Sequence, residues 1–126
     1  MKQIITTDKA PAPIGPYNQA ILKNGTLYTS GQIALDADSG ELVLGTIEEE
    51  TTKVMENISA VLKAADMSFN HVVKTSIFIS NMDDFARINA VYGTYFEEGN
   101  APARETVQVA RLPKDVNVEI SMIAII

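Results

Sequence analysis

Apolar and polar residues alternate along this chain in two rhythms. Between Val72 and Ser80 the period is two: Val73, Thr75, Ile77 and Ile79 oppose Val72, Lys74, Ser76, Phe78 and Ser80, and the run is rich in β-branched residues, which predicts a long strand. The same rhythm over Val116 to Ile126 puts Val116, Val118, Ile120, Met122 and Ala124 on one face and Asn117, Glu119, Ser121, Ile123 and Ile125 on the other. After Thr46 the spacing changes to three and four. Ile47, Val54, Met55, Ile58, Val61, Leu62 and Ala65 then form one buried stripe of a helix. Thr46-Ile47-Glu48-Glu49 is a capping-box pattern, and the triplet Glu48 to Glu50 reads as cap and solvated face, where the helix dipole favours negative charge. A second helix is expected from an Asn81 cap through Glu98, ended by Gly99, with Phe85, Ile88, Tyr92, Tyr95 and Phe96 buried. Asn89 lies on that buried face, where its amide needs hydrogen-bond partners.

Shorter elements fill the rest. Lys2 to Thr6 reads as a strand, and Asn24-Gly25 joins Tyr17 to Leu22 with Thr26 to Ser30 as a hairpin. Pro11, Pro13, Gly15 and Pro16 stiffen the loop before Tyr17 and hold it at a defined place, as a core aromatic or as part of a site. Gly31 after Ser30 marks a bulge, or a place where backbone approaches a ligand. In Asn100 to Ala110, Pro102 makes a stiff entry to a strand whose alternation puts Arg104 and Thr106 on one face and Glu105 on the other. Arg104 thereby loses its sequence neighbour as an ion partner. Its planar fork suits a carboxylate; a surface arginine or a structural salt bridge is the competing reading. Glu119, inside the apolar last strand, is exposed, paired or positioned for chemistry. His71 at a strand entry reads as a solvated loop residue with no role.

Assembled, these elements give an α+β or mixed sheet with both helices crossing over right-handedly onto one side. The other side still carries Phe78, Ile123 and Ile125, which two helices cannot cover, so a homo-oligomer is expected to bury it. Glu119 then lies near a subunit boundary, where a desolvated carboxylate needs a partner or a task.

The 126 residues suffice for one domain, spanning 1–126, and no stretch reaches the roughly 20 apolar residues of a membrane span. The absence of cysteine excludes thiolate chemistry and disulfides, and with no signal-peptide pattern the expected compartment is cytoplasmic. A net charge of −6 without basic clusters opposes nucleic-acid binding.

Five phrases in order resemble the RidA/YjgF/UK114 family of reactive-intermediate deaminases: residues 12 to 19 (Ala-Pro-Ile-Gly-Pro-Tyr-Asn-Gln), 28 to 33 (Tyr-Thr-Ser-Gly-Gln-Ile), 91 to 96 (Val-Tyr-Gly-Thr-Tyr-Phe), 101 to 104 (Ala-Pro-Ala-Arg), and 109 to 115 (Val-Ala-Arg-Leu-Pro-Lys-Asp) with Val-Glu-Ile at 118 to 120. The resemblance implies a chorismate-mutase-like α+β protomer, a homotrimer with a central β-barrel, and clefts between subunits that hydrolyse 2-imino acids such as 2-iminobutanoate and 2-iminopropanoate to 2-oxo acids and ammonia, without metal or cofactor. It places the carboxylate-binding arginine on Arg104 and the water-positioning acid on Glu119. It puts Tyr17, Ser30, Gly31 and Asn89 in the pocket lining, and Thr106, where the family often has cysteine, in contact through its backbone. Glu105 stands where serine is common, and its charge near the cleft would alter anion binding. The rival reading is a small-carboxylate (2-oxo acid) binding or regulatory module without turnover. A ribonuclease reading ranks last, given the charge balance and the lone histidine.

Overall fold

The C-terminal apolar run becomes the middle of the sheet, since a strand with one fully buried face pairs best with neighbours on both edges. The computed structural model describes residues 1–126. Its strands are β1 (Gln3–Ile5), β2 (Ala20–Lys23), β3 (Thr26–Thr29), β4 (Val72–Ile79), β5 (Ala103–Gln108) and β6 (Val118–Ile125); its helices are α1 (Ile47–Ala64) and α2 (Phe85–Gly93). Single 3-10 turns stand at Phe69–His71, Met82–Asp84 and Pro113–Asp115. The sheet order is β1-β2-β3-β6-β4-β5, antiparallel throughout except for the parallel pair β4 and β5.

Asn24 and Gly25 both adopt positive φ, 51° and 77°, which is the backbone a tight β2–β3 hairpin demands. β3 and β4 each run antiparallel to β6, so α1 connects two parallel strands with β6 inserted between them. α2 connects the adjacent parallel strands β4 and β5. Both helices lie on one face. There Leu27, Ile77, Ile79, Val118, Ile120 and Met122 of the sheet pack against Val54, Met55, Ile58, Val61 and Leu62 of α1 and Ile88 and Tyr92 of α2. On the opposite face Tyr28, Val107 and Ile125 stay exposed. The mixed α+β fold is the one expected from the alternation, and no helix covers the second face, although Phe78 there packs against a small cluster of Ile33, Leu112 and Val116.

Several boundaries differ. α2 stops at Gly93, not Glu98: Thr94 Oγ1 donates to the Val91 carbonyl at 2.7 Å, and the amides of Thr94, Tyr95 and Phe96 turn to carbonyls three residues back, which tightens and ends the helix. Tyr95 and Phe96 still reach the core edge through Phe69, at ring distances of 5.2 and 5.6 Å. Tyr17 lies in the loop before β2, exposed, because the proline-stiffened segment delays pairing until Ala20. β6 begins at Val118 because Lys114 and Asp115, both at positive φ, use the preceding residues in a turn.

The acidic triplet also departs from a purely solvated face. Thr46 caps α1, its Oγ1 accepting from the Glu49 amide at 3.1 Å, and Glu48 pairs with Arg87 of α2. Glu50, however, is 1% exposed. Its carboxylate accepts from the amides of Asn117 (2.7 Å) and Val118 (3.1 Å) and from Asn117 Nδ2 (2.7 Å), tying the first turn of α1 to the start of β6.

Candidate active site: two clefts on opposite faces of the sheet

Glu119 leaves β6 where β3 gives out. Between the pairs Tyr28↔Ile123 and Gln32↔Ile120 the β3 side has one residue more than β6, a bulge at Ser30-Gly31 that opens the sheet surface. The Glu119 carboxylate rests on this bulge: a Cβ at Gly31 would stand 2.6 Å from Glu119 Oε2. The absent side chain of Gly31 is therefore the seat of the acid. Ser30 closes the far wall. Its amide donates to the Gln19 carbonyl at 2.9 Å and its hydroxyl to the Asn18 carbonyl at 2.5 Å, which pins the loop presenting Tyr17. Buried Gln19 anchors the same loop from behind through Thr7, Ala10 and Pro11. The resulting cleft, about 320 Å³, is lined by Ile14, Tyr17, Ser30, Gly31, Ile33, Pro113 and Glu119. Glu119 has no ion pair. Half-buried without a cation, its carboxyl titrates above the usual carboxylate range, raised by desolvation.

Arg104 occupies a second cleft, with Asn89, Tyr92, Gly93, Ala101 and Pro102. Its Nη1 donates to Asn89 Oδ1 at 2.5 Å, and its guanidinium carbon lies 5.1 Å from the Tyr92 ring centroid and 5.6 Å from that of Phe85. Tyr92 is itself fixed, its hydroxyl donating to Thr75 Oγ1 at 2.9 Å. Two aromatic faces and one neutral amide thus orient the fork without neutralising it. Arg87 and Arg111 are both paired with carboxylates, whereas Arg104 has none. Glu105, on the opposite side of β5, is taken up by Lys74 and Ser76, and these bonds hold its pKa down.

Within one chain the two charges do not meet. Arg104 pairs in register with Thr75, on the helix-covered face; Glu119 pairs with Phe78, three residues on and so on the bare face. Tyr17, Ser30, Gly31 and Glu119 gather in one cleft and Asn89 and Arg104 in the other. Thr106 stands beside the second, two residues along β5 from Arg104 on the same face. The Val109 amide donates to the Ile79 carbonyl, which fixes the parity of the parallel ladder: the backbone N–H and C=O of Thr106 point away from β4, on the open edge of the sheet. The apolar pattern places Phe85 and Tyr92 in the core alone; their spacing of about one turn either side of Asn89 is the available sign that they also frame its partner. No three His, Asp or Glu side chains gather into a metal ligand set, and no helix is long and apolar enough to cross a membrane.

A six-strand mixed sheet with both helices on one face is the architecture of Rid proteins. A solved structure from Yersinia pestis, described as a protein of unknown function of the conserved Rid protein family, superposes with a TM-score of 0.97 at 47% identity, covering 100% of both chains. Residues 7–126 match the family described as Endoribonuclease L-PSP. A RutC family protein from Synechocystis is 52% identical over 98% of this chain and 96% of its own. The 2-iminobutanoate/2-iminopropanoate deaminase of Mus musculus is 47% identical over 99% of this chain and 92% of its own. The chain belongs to the RidA/YjgF/UK114 family.

Proposed function

We propose that this protein hydrolyses 2-imino acids, such as 2-iminobutanoate and 2-iminopropanoate, to 2-oxo acids and ammonia, at sites shared between neighbouring protomers of a homotrimer. The observation that carries the reading is the pair of unpartnered charges: a guanidinium ordered by Asn89, Tyr92 and Phe85 but lacking a carboxylate, and a half-buried carboxylate lacking a cation. Each is one half of a site. They leave the protomer on different faces, so a second copy laying its bare sheet face along the β5 edge completes the pair.

Arg104 takes the substrate carboxylate in a bidentate grip and turns a diffusing acid into an oriented one. The Thr106 carbonyl on the open edge accepts the imine N–H. Glu119 of the neighbouring copy, ionised, accepts a hydrogen bond from a water held over C2. As the water oxygen bonds to C2, the C=N π pair moves to nitrogen, Glu119 takes the water's proton and passes it to that nitrogen, and the C–N bond of the resulting carbinolamine breaks. As that bond breaks the hydroxyl oxygen becomes the oxo group, its proton passing through Glu119 to the departing nitrogen, so that ammonia leaves and Glu119 is ionised again. Burial serves this role, since raising the pKa makes the carboxylate a stronger base that takes the water's proton more readily.

The test is ammonia release from freshly generated 2-iminobutanoate, beside equilibrium binding of 2-oxobutanoate. Glu119→Gln is expected to keep binding and lower turnover by about 10²- to 10⁴-fold; Arg104→Ala loses both. Co-assembling these two inactive variants restores about a quarter of wild-type activity, because in a mixed ring a quarter of the shared sites draw both intact residues from different chains. Wild-type turnover in Glu119→Gln would leave a carboxylate-binding module, and no recovery on mixing would place each site within one chain.

A further inference from the structure

Thr106 carries the one buried side-chain polar atom that has no hydrogen-bond partner: its Oγ1 is closed off from solvent and meets no donor or acceptor. Its neighbours on the same face of β5 are both committed. Arg104 donates to Asn89, and Gln108 Oε1 accepts from the Met82 amide at 2.7 Å. Between two tethered side chains stands a hydroxyl with nothing to do. A dry, unpaired hydroxyl destabilises a fold, and valine would fill the same volume in a strand without that penalty. The residue as a whole is only partly buried, and a single χ1 step carries the hydroxyl into the position the methyl now holds.

Position gives the hydroxyl a use. Thr106 lies about 7 Å along the strand from Arg104, two residues at roughly 3.3 Å each. An acid gripped by the guanidinium and lying along β5 toward the strand's C-terminal end would bring its C2 substituent to residue 106. The Thr106 backbone carbonyl is free on the sheet edge at that point. An imine nitrogen has one N–H and one lone pair. The carbonyl can accept the first, and a hydroxyl can donate to the second.

We infer that the Thr106 hydroxyl is a substrate-positioning group, donating to the imine nitrogen of the bound 2-imino acid. This rests on the imino-acid reading of the site and adds a side-chain contact to it. The bond orients the C=N group and draws electron density from C2, where water attacks. It also separates substrate from product: an oxo group can accept from the hydroxyl but has no proton for the backbone carbonyl, so the product is held by one bond where the substrate is held by two.

The experiment compares Thr106→Val with Thr106→Ser in imine hydrolysis, 2-oxobutanoate binding and thermal unfolding. The valine variant is expected to melt no lower than wild type, to lose about tenfold in kcat/KM, and to bind 2-oxobutanoate several-fold more weakly, amounts typical of one lost hydrogen bond. Thr106→Ser, which returns the hydroxyl, restores most of both losses. Unchanged kcat/KM and unchanged 2-oxobutanoate affinity in Thr106→Val would reduce the orphan hydroxyl to a packing imperfection and overturn the inference. Glu119→Gln measured alongside separates the two ideas. If it turns over at the wild-type rate while Thr106→Val still weakens 2-oxobutanoate binding, deamination falls and the hydroxyl stands as a ligand contact.

Discussion

Glu119 lies so close over Gly31 that a Cβ there would come within 2.6 Å of Oε2 and 2.7 Å of the carboxyl carbon. Gly31 is not in a left-handed conformation, so alanine is compatible with its backbone. The atoms it would strike belong to the free end of a flexible side chain, which can swing aside. Gly31→Ala should thus fold with a stability change of about 1 kcal/mol or less, yet displace the acid. The expected result is a 10- to 100-fold fall in kcat, part of the roughly 10²- to 10⁴-fold effect of general acid-base catalysis, at nearly unchanged 2-oxobutanoate affinity. Steady-state kinetics beside a melting curve separates displacement from misfolding.

The raised pKa of Glu119 gives activity and stability opposite pH dependences. In its proposed role as a base it must be ionised, so turnover is expected to fall as pH drops through its folded pKa, which burial raises. For stability, the folded state holds the proton more tightly than the unfolded one. The ionised form is therefore disfavoured by folding, and stability declines as pH rises from the unfolded pKa through the folded one. Glu119→Gln is expected to lose the acid limb and to be more stable than wild type at neutral pH, with the difference vanishing in acid below the unfolded value. Denaturant titrations at several pH values, at fixed protein concentration, check the sign.

These behaviours depend on features that differ in how they are written in the chain. The sheet faces were legible because a two-residue period assigns every side chain of β4 and β6 once any one is placed, and the Asn24-Gly25 hairpin was legible because few residues tolerate two successive positive φ angles. The charge of the site residues was legible too, since an arginine behind Pro102 and a glutamate among isoleucines violate the local pattern. Burial of Glu50 was not. It depends on the entry to β6 presenting two free amides, 67 and 68 residues away, and no local rhythm distinguishes it from the neighbouring Glu48 and Glu49. The opposite facing of Arg104 and Glu119 required the β4 register with both β5 and β6, which is tertiary information. The early end of α2 turned on competition from Thr94, a residue whose hydroxyl bonds backbone as readily inside a helix as at its end.

Asn89 orients Arg104 while leaving its charge free. Asn89→Asp keeps the shape and places a carboxylate against Nη1, where it neutralises the fork and repels the incoming acid. KM for the imino acid and the Kd of 2-oxobutanoate should each rise about tenfold or more, corresponding to roughly 1.4 kcal/mol, while melting temperature holds or increases. Because added salt screens that repulsion, the deficit should shrink at high ionic strength. Binding isotherms at two salt concentrations decide it; an unchanged Kd would mean that Arg104 does not meet the ligand's carboxylate.

Glu50 joins α1 to β6 with both oxygens engaged: Oε2 by the amides of Asn117 and Val118, Oε1 by Asn117 Nδ2. Asn117 in turn accepts from the Ser80 amide at 3.0 Å and the Ser80 hydroxyl at 3.2 Å, so the ends of α1, β4 and β6 converge on this carboxylate. Glu50→Ala leaves three donors unmet in a dry place, which should cost about 3 kcal/mol or more and lower the melting temperature by roughly 10 °C. Glu50→Gln is milder, since one oxygen still serves the two amides, but its NH2 then opposes Asn117 Nδ2. Adding Asn117→Asp to Glu50→Gln reverses both polarities of that contact and should recover most of the loss, whereas Asn117→Asp alone sets two carboxylates together and destabilises. A double-mutant cycle by urea unfolding measures the coupling. Additive effects of the two substitutions would show that the network contributes through packing alone.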